Sequence, residues 1–585
     1  MALRRSLAGW ALCLCFALQG LVPALARGDA FYEDERMSRA LASRSLRKEP
    51  EPEGKRIAFV RIERENVFVK DEFYPTFFNI FHWKTRESVV ERELLFEEGD
   101  LYQRERVEET MRILRSMGIF SLVRIVAVQT GRPGEVGVLV YTRDLWSLRL
   151  ETDFQVTGKV IDRLLLQATE RNFLGRQKLA TARFFMQPYT WQVGQLYVDR
   201  RLGGSNLRFG ENADFIFNRY SGNFEGGTAS LSLRRPFYNL QDRFGFSLDG
   251  TFSNYIERRI SNGRVVGYDI PETPEQEAIP SVWDRREGNS SLLGYYRVGS
   301  AYKLTFGAGW SYDQLWVAPN SLTGLAEGQE ASFARDVLPR QRRQTGPVFT
   351  YQLFTPRFVI FRNLDSFGQS ENVRVGPRVE ATVRFPLEAF GSSSNSMVFW
   401  GLLNYALAGH DALAESVVTA TARLENGRVV DQRLTAELRG ASPMLKFVRL
   451  VARLSWDGRR QDTSRTQVSL GGDNGLRGFV SQAFFARGAS LVRFNFEVRS
   501  RPLAWRSVHV GGVLFYDTGA VYQSLDRVTF HHAVGLGARF MLPQFNRLPF
   551  RGDVGFPVGD DFGVVPSFGS DQVIQLTAPD SVFGF

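Results

Sequence analysis

The feature that constrains this chain most is a two-residue rhythm. From Trp146 to the C-terminus, segments of about ten residues alternate apolar and polar side chains, and the spacing of an amphipathic helix is missing. Leu491 to Arg501 is the clearest case: Val492, Phe494, Phe496 and Val498 take the even positions, while Arg493, Asn495, Glu497, Arg499 and Arg501 take the odd ones. Successive side chains of a strand point to opposite faces, so one face is apolar and the other charged. The rule repeats with Val508, Val510, Leu514 and Tyr516 against His509, Gly511, Asp517 and Gly519. It repeats again with Val534, Leu536 and Phe540 against Gly535, Gly537 and Arg539. A soluble sandwich also alternates, with its apolar face inside. The polar face separates the two folds, because several charges of both signs per strand suit a water-filled lumen and leave the apolar face to lipid. After the first 26 residues, no segment reaches the roughly 18 to 20 uninterrupted apolar residues of a transmembrane helix. The predicted fold is mainly β, a transmembrane antiparallel β-barrel over residues 146–585. At roughly 25 to 28 residues per strand plus connection it holds about sixteen strands. Residues 258–289 and 317–345 read as long outer loops, Gly175-Arg176 and Pro236 to Asn239 as tight turns at the other end. Surplus strand-like segments between 372 and 457 read as hairpins within an outer loop.

The N-terminus supplies the route to a membrane. Arg4 and Arg5, an apolar run from Leu7 to Leu21, and Ala24-Leu25-Ala26 predict a signal peptide over residues 1–26. Both cysteines, Cys13 and Cys15, fall inside it, so the mature chain has no disulfide, thiolate metal site or cysteine nucleophile. Cleavage removes two of the 73 basic side chains and none of the 63 acidic ones, leaving a net charge of +8. These charges are spread through alternating segments rather than gathered in a stripe, which argues against nucleic acid and fits anionic lipid head groups.

Residues 27–55, rich in Arg, Glu and Pro, read as a flexible linker. Residues 56–145 change texture. A strand-like run from Ile57 to Phe68 precedes a helix start at Thr85, a second helical pattern at Val107, Met111, Leu114 and Met117 stopped by Gly118, and strands Phe120 to Val128 and Val136 to Tyr141. This β-α-α-β-β unit can bury its own core. With Leu95, Gly99-Asp100-Leu101-Tyr102, Leu114, Gly118-Ile119-Phe120, Val123 and Ile125, it resembles the POTRA domain of periplasmic chaperoning arms. The resemblance implies a periplasmic domain whose sheet edge receives extended clients by β-augmentation.

The run Gly471-Gly472-Asp473-Asn474-Gly475-Leu476-Arg477-Gly478-Phe479 carries the sharpest signal. Its glycines suit a loop tip, but a loop tip alone leaves Arg477 without a reason. The run resembles the inward-folded loop of the BamA/TamA superfamily of outer-membrane assembly proteins, with Leu476 where that signature has valine. The resemblance implies a loop inside the barrel whose arginine is held by lumen carboxylates. Two match by position: Glu497 on the following strand, and Asp517 in Phe515-Tyr516-Asp517-Thr518-Gly519. Both also fall on the polar face read from alternation, and a guanidinium can grip a carboxylate with two parallel bonds. Arg171-Asn172-Phe173-Leu174-Gly175 is similar to the family's first periplasmic turn, and Gly535-Leu536-Gly537 with Pro549-Phe550-Arg551-Gly552-Asp553 to its last strands. The chain departs from the family's central members in having one POTRA unit. It ends on Phe585, a terminal aromatic of the kind that marks barrel precursors. Pro579 interrupts any long closing strand, which reads as the short Gln572 to Thr577, and a weakly paired closing strand suits a seam that opens sideways.

The expected function is outer-membrane protein assembly, insertion or export, with outer-membrane lipids, unfolded client proteins and periplasmic partners as its contacts. No cofactor or metal is implied. The alternative is a passive outer-membrane channel or lipid-handling barrel. Enzymatic motifs are missing from the sequence, and a lipid hydrolase is the remote third reading. The five histidines are scattered, and the neighbours His531 and His532 point to opposite faces of a strand, which makes a surface pair of them.

Overall fold

The computed structural model describes residues 32–70, 75–157, 160–261, 264–270, 278–463, 466–472, 474–479, 483–487, 490–505, 508–559, 563–569 and 572–577. The expected signal peptide and the terminal Phe585 lie outside the described residues.

The small domain is a three-stranded sheet of β1 (Arg56–Glu65), β2 (Phe120–Gln129) and β3 (Glu135–Asp144) in the order β1-β3-β2. The two outer strands run parallel (β1) and antiparallel (β2) to the central one. Two helices, α2 (Glu87–Glu91) and α3 (Arg104–Ser116), cover one face through Val89, Val90, Val107, Leu114 and Met117. Gly118, at φ +69°, ends the α3 chain direction in a backbone region that β-carbon-bearing residues avoid.

The segment expected to be a flexible linker instead begins with helix α1 (Tyr32–Ala42). Met37, Ala40 and Leu41 recur at helical spacing, and they pack on Leu122, Val128, Leu139 and Tyr141, the sheet face away from α2 and α3. After α1 the chain turns to pair with the sheet. Glu49 N donates to Ala127 O and Gln129 N to Arg47 O, which occupies one end of the outer edge of β2. Arg115, whose burial lowers its pKa to about 10, donates to the Val123 carbonyl of the same strand. Residues 99–102 pair with the start of the outer edge of β1, at Arg56 and Ile57.

From Leu148 the chain forms a closed antiparallel barrel. Of the 22 strands in the closed order, Arg357–Arg362 and Leu503–Trp505 are marginal, because their flanking strands pair directly with each other; this leaves 20 wall strands among the described residues. The expectation of about sixteen fails between residues 370 and 460. Ser370–Arg384, Ser396–Gly409, Ala412–Glu425, Arg428–Ala441 and Val448–Arg460 all stand in the wall rather than in a loop. Strands also run longer than the bilayer needs. Val282–Val298 and Lys303–Pro319 hold 17 residues each, where about 9 to 11 span the apolar layer. Residues 282–289, expected in a loop, therefore belong to the wall, where Arg285 pairs with Glu287 at 2.7 Å and with Glu257 of the adjoining strand at 3.5 Å.

The outer face presents Leu150, Leu166, Leu514, Leu536 and Phe568 to the surroundings, while the lumen face holds buried charge. The small domain sits at the near end of the barrel, where the first wall strand, Leu148–Thr157, begins. Residues 270, 279, 283, 315, 317, 333 and 337 form an apolar cap at the far end, with Phe333 fully buried. Among the described residues no helix is long and apolar enough to cross a membrane.

Candidate functional site at the barrel closure

The wall strands Val448–Arg460 and Ser490–Ser500 are joined by a long connection that pairs with itself as Gln467–Leu470 and Phe484–Arg487 and lies against the wall. Gly471, Gly472, Gly475 and Gly478 take φ of +133°, +61°, +93° and +95°. These values turn the backbone inward where an L side chain would be strained. Leu476 is fully buried in a cluster with Val468, Leu470, Phe479, Leu491 and Ala533, which anchors the loop tip. Phe479 packs edge-on against Phe484 with centroids 5.2 Å apart.

Arg477 is 1 % exposed and lies among three carboxylates. Its Nε and Nη2 donate to Asp517 at 2.7 and 3.0 Å, a two-pronged grip, and its backbone N–H donates to the same side chain at 3.1 Å. Nη1 reaches Glu497 at 2.8 Å and Asp553 at 3.4 Å. The guanidinium stacks 3.7 Å from the Phe515 ring centroid. Asn495 ties the arrangement to the loop backbone by donating to both Asp517 Oδ1 and the Gly475 carbonyl at 2.7 Å. Three further arginines complete the cluster: Arg499 on Glu497 at 2.8 Å, Arg539 on Asp553 at 2.6 Å and Arg551 on Asp553 at 3.2 Å. Buried charge persists only when paired and hydrogen-bonded, and here the acids and arginines alternate across four adjacent wall strands.

Small residues make the room. A β-carbon at Gly535 would stand 2.2 Å from the Phe515 ring, and one at Gly537 would stand 1.8 Å from Asp553 Oδ1. At Gly555 it would meet Gly478 N at 2.4 Å and Cα at 2.5 Å, so the loop backbone lies flush on the wall strand Phe550–Val558.

The structure thus brings together Arg477, Glu497, Asp517 and Phe515, with Gly519 beside the buried Leu470. Asp473 lies outside the described residues. Sequence reasoning missed Asp553, Arg499, Arg539 and Asn495 as partners. Parity held the signal for Asn495, Arg499 and Arg539, which share the lumen face already deduced for their strands; Asp553 stood inside a quoted motif whose strand face had not been read. His531 stacks on Phe484 and His532 shares a hydrogen bond with Tyr516, so the two point apart.

The closing strand is a correction. It is Val565–Gly569, paired with residues 551–555, not Gln572 to Thr577. The latter segment leaves the wall and enters the lumen at the near end, although its alternation reads as a strand. Its buried positions Ile574 and Leu576 meet Phe361, Leu364, Val373, Leu413, Ala441 and Val451. Arginines from the wall donate to its carbonyls: Arg453 to Val573, Arg499 to Ile574 and Arg439 to Gln575, at 3.4, 2.5 and 2.8 Å. Asp365, from the hairpin turn after Arg357–Arg362, accepts from Leu576 N and Thr577 N at 2.7 and 2.6 Å. Arg539 links the tail to the Arg477 cluster by donating to Gln572 at 2.9 Å.

The small domain is clamped to the near-end turns. Asn172 donates to the Trp83 carbonyl and Thr85 Oγ1, and Arg86 N donates to Gly175 O. Arg201 grips Glu93 at 2.9 and 2.5 Å in a buried pair. On the opposite side Arg547 donates to the Arg115 carbonyl, and Glu33 of α1 accepts from Ser370.

Residues 81–142 match the POTRA family, described as surface antigen variable number repeat. No curated protein matches the chain. Among solved structures, similarity extends to BamA from Haemophilus ducreyi lacking POTRA domains 1–3, with 12 % identity, 88 % of this chain and 85 % of that one covered, and a TM-score of 0.34. For CdiB from Acinetobacter baumannii the values are 11 %, 88 %, 73 % and 0.39. For the siderophore receptor PirA from the same organism they are 10 %, 74 %, 66 % and 0.32.

Proposed function

We propose that this chain is an outer-membrane barrel of the BamA/TamA type that inserts or exports protein substrates, its POTRA domain lying in the periplasm. The observation that carries the reading is the contrast at the closure. Among the described residues the closing strand makes five ladder pairs with Phe550–Val558, one of them at Pro566, which cannot donate. Its neighbour, Phe550–Val558, is fixed from inside by Arg477 on Asp553 and by the Gly478–Gly555 contact. The wall is therefore stiff up to the last strand and weak at it, which suits a seam that parts to one side. Arg477, Glu497 and Asp517 act in this reading as the brace of the loop rather than as chemistry. Occupation of the near-end lumen by the tail argues against a steadily open pore.

A quantitative outer-membrane proteome with and without the protein tests the function. Loss of a defined set of barrels or secreted proteins is expected; unchanged proteins with altered permeability or lipid would move the assignment to a channel or lipid role. The seam is tested separately, by one cysteine in Leu148–Thr157 and one in Val565–Gly569. Because the mature chain carries no other cysteine, the engineered bond is unambiguous, and full activity with the seam locked would refute lateral opening.

A further inference from the structure

The POTRA domain carries an inside-out turn beside the barrel wall. In the short helical turn Thr76–Phe81 and the residues after it, Asn79 and His82 turn inward, while Phe77, Ile80, Phe81 and Trp83 are exposed. Asn79 bonds both the N–H and the carbonyl of Phe68, at 3.1 and 2.8 Å. Buried His82 contacts Asp144 and Ser147 at 2.9 and 3.1 Å. Phe77, Ile80, Phe81 and Trp83 are 58 %, 76 %, 60 % and 45 % exposed. Water would select the reverse arrangement, and the hydrogen bonds on the inner side show that the display is built in. The turn is rooted by a chain of rings in which Phe78 meets Phe68, and Phe68 meets Trp146 and Phe545.

Its position names the occupant. Trp83 packs edge-on against Phe173 at the near end of the second wall strand, 5.4 Å between centroids. Leu174 beside it is exposed, and Leu166 and Leu150 are exposed farther along the outer face of the first two strands, the part of the barrel that meets lipid. From Thr76 to Trp83 no side chain carries a fixed charge, while the next exposed ones, Lys84 and Arg86, are basic. An aromatic and aliphatic tip followed by cations is the composition that settles at a phospholipid interface.

We propose that Phe77, Ile80, Phe81 and Trp83 form a membrane foot that inserts between phospholipids of the near-side leaflet and holds the POTRA domain against the bilayer beside the first wall strands. The side chains enter about 5–10 Å into the headgroup and acyl boundary.

The test uses the full mature chain, which has no cysteine to interfere. Ile80→Cys, at a position outside the core, is labelled with an environment-sensitive fluorophore, and the protein is reconstituted in phosphatidylethanolamine–phosphatidylglycerol vesicles. Arg132→Cys, in the exposed turn between β2 and β3, serves as the aqueous control. Lipid carrying a shallow doxyl quencher should quench the Ile80→Cys label roughly threefold or more over its effect on the control, and aqueous iodide should show the opposite order. Equal iodide quenching at both sites overturns the proposal. So does a label that vesicles leave open to iodide and that only added periplasmic protein shields, since the occupant would then be a protein.

Discussion

Replacing Arg477 by Met removes one cation from a site where it and three carboxylates are each no more than 1 % exposed. Loss of one partner from a buried ion pair costs about 3–5 kcal/mol, because the remaining charge stays buried without compensation. That is a shift of roughly two to three and a half decades in the unfolding equilibrium. The same grip occurs elsewhere in this barrel with water around it. Arg433 holds Asp457 through Nε and Nη2 at 3.1 and 2.8 Å, yet its side chain is 45 % exposed, so Arg433→Met should cost about 0–1 kcal/mol. Urea unfolding in lipid vesicles, followed by gel mobility of the unheated barrel, compares the two variants directly. A double-mutant cycle of Arg477→Met with Asp517→Asn should give a coupling energy of about 2 kcal/mol or more. Coupling below about 0.5 kcal/mol, or equal costs for the Arg477 and Arg433 variants, would mean that lumen water screens the cluster and would refute the brace.

Gly555→Ala should lift the loop from the wall, since its new methyl would need the space of Gly478; faster proteolytic cutting between residues 471 and 479 is expected, and an unchanged rate would show that the contact is slack. Ile574→Asp with Leu576→Asp should expel the tail from its apolar pocket while leaving the chain terminus intact. Single-channel conductance should rise, and an unchanged trace would place the barrier elsewhere. Met37→Asp with Leu41→Asp should detach α1 and loosen residues 47–49 from the edge of β2. Binding of extended peptides, read by fluorescence anisotropy, should then tighten; no change would remove this edge as the client site.

Alternation made the barrel legible because it is a property of each strand alone. Glu497 and Asp517 could be placed on the lumen face for the same reason, and the odd glycines and lone arginine of residues 471–479 stood out against their own loop chemistry. Strand number was not legible, since a segment such as Arg428–Ala441 has the same rhythm in a wall as in an outer hairpin. Helix α1 was hidden by composition: Met37, Ala40 and Leu41 are few apolar residues among many charges, yet three at the right spacing suffice when a sheet face waits for them. The tail misled most directly. Gln572, Ile574 and Leu576 alternate as a closing strand would, but alternation reports that one side is buried and not against what.

That tail and the weak seam belong to one mechanical argument. Among the described residues the last strand meets the penultimate one through five pairs, so the last strands need a further tie to the rest. Here the tie runs through the lumen. Arg539 contacts both Asp553 of the penultimate strand and Gln572 of the tail, and the tail is held in turn by Arg439, Arg453 and Arg499 on three other wall strands. Closure is thus shared between backbone pairing at the wall and side-chain bonds inside it. The two meet at Arg551, which donates to Asp553 and to Ser567 of the last strand, while the bonds to the tail are made by other arginines. A seam supported in this way can part while the interior stays braced, which is the property the proposed lateral opening requires. Locking the seam should therefore abolish activity and leave conductance unchanged, whereas expelling the tail should change conductance first.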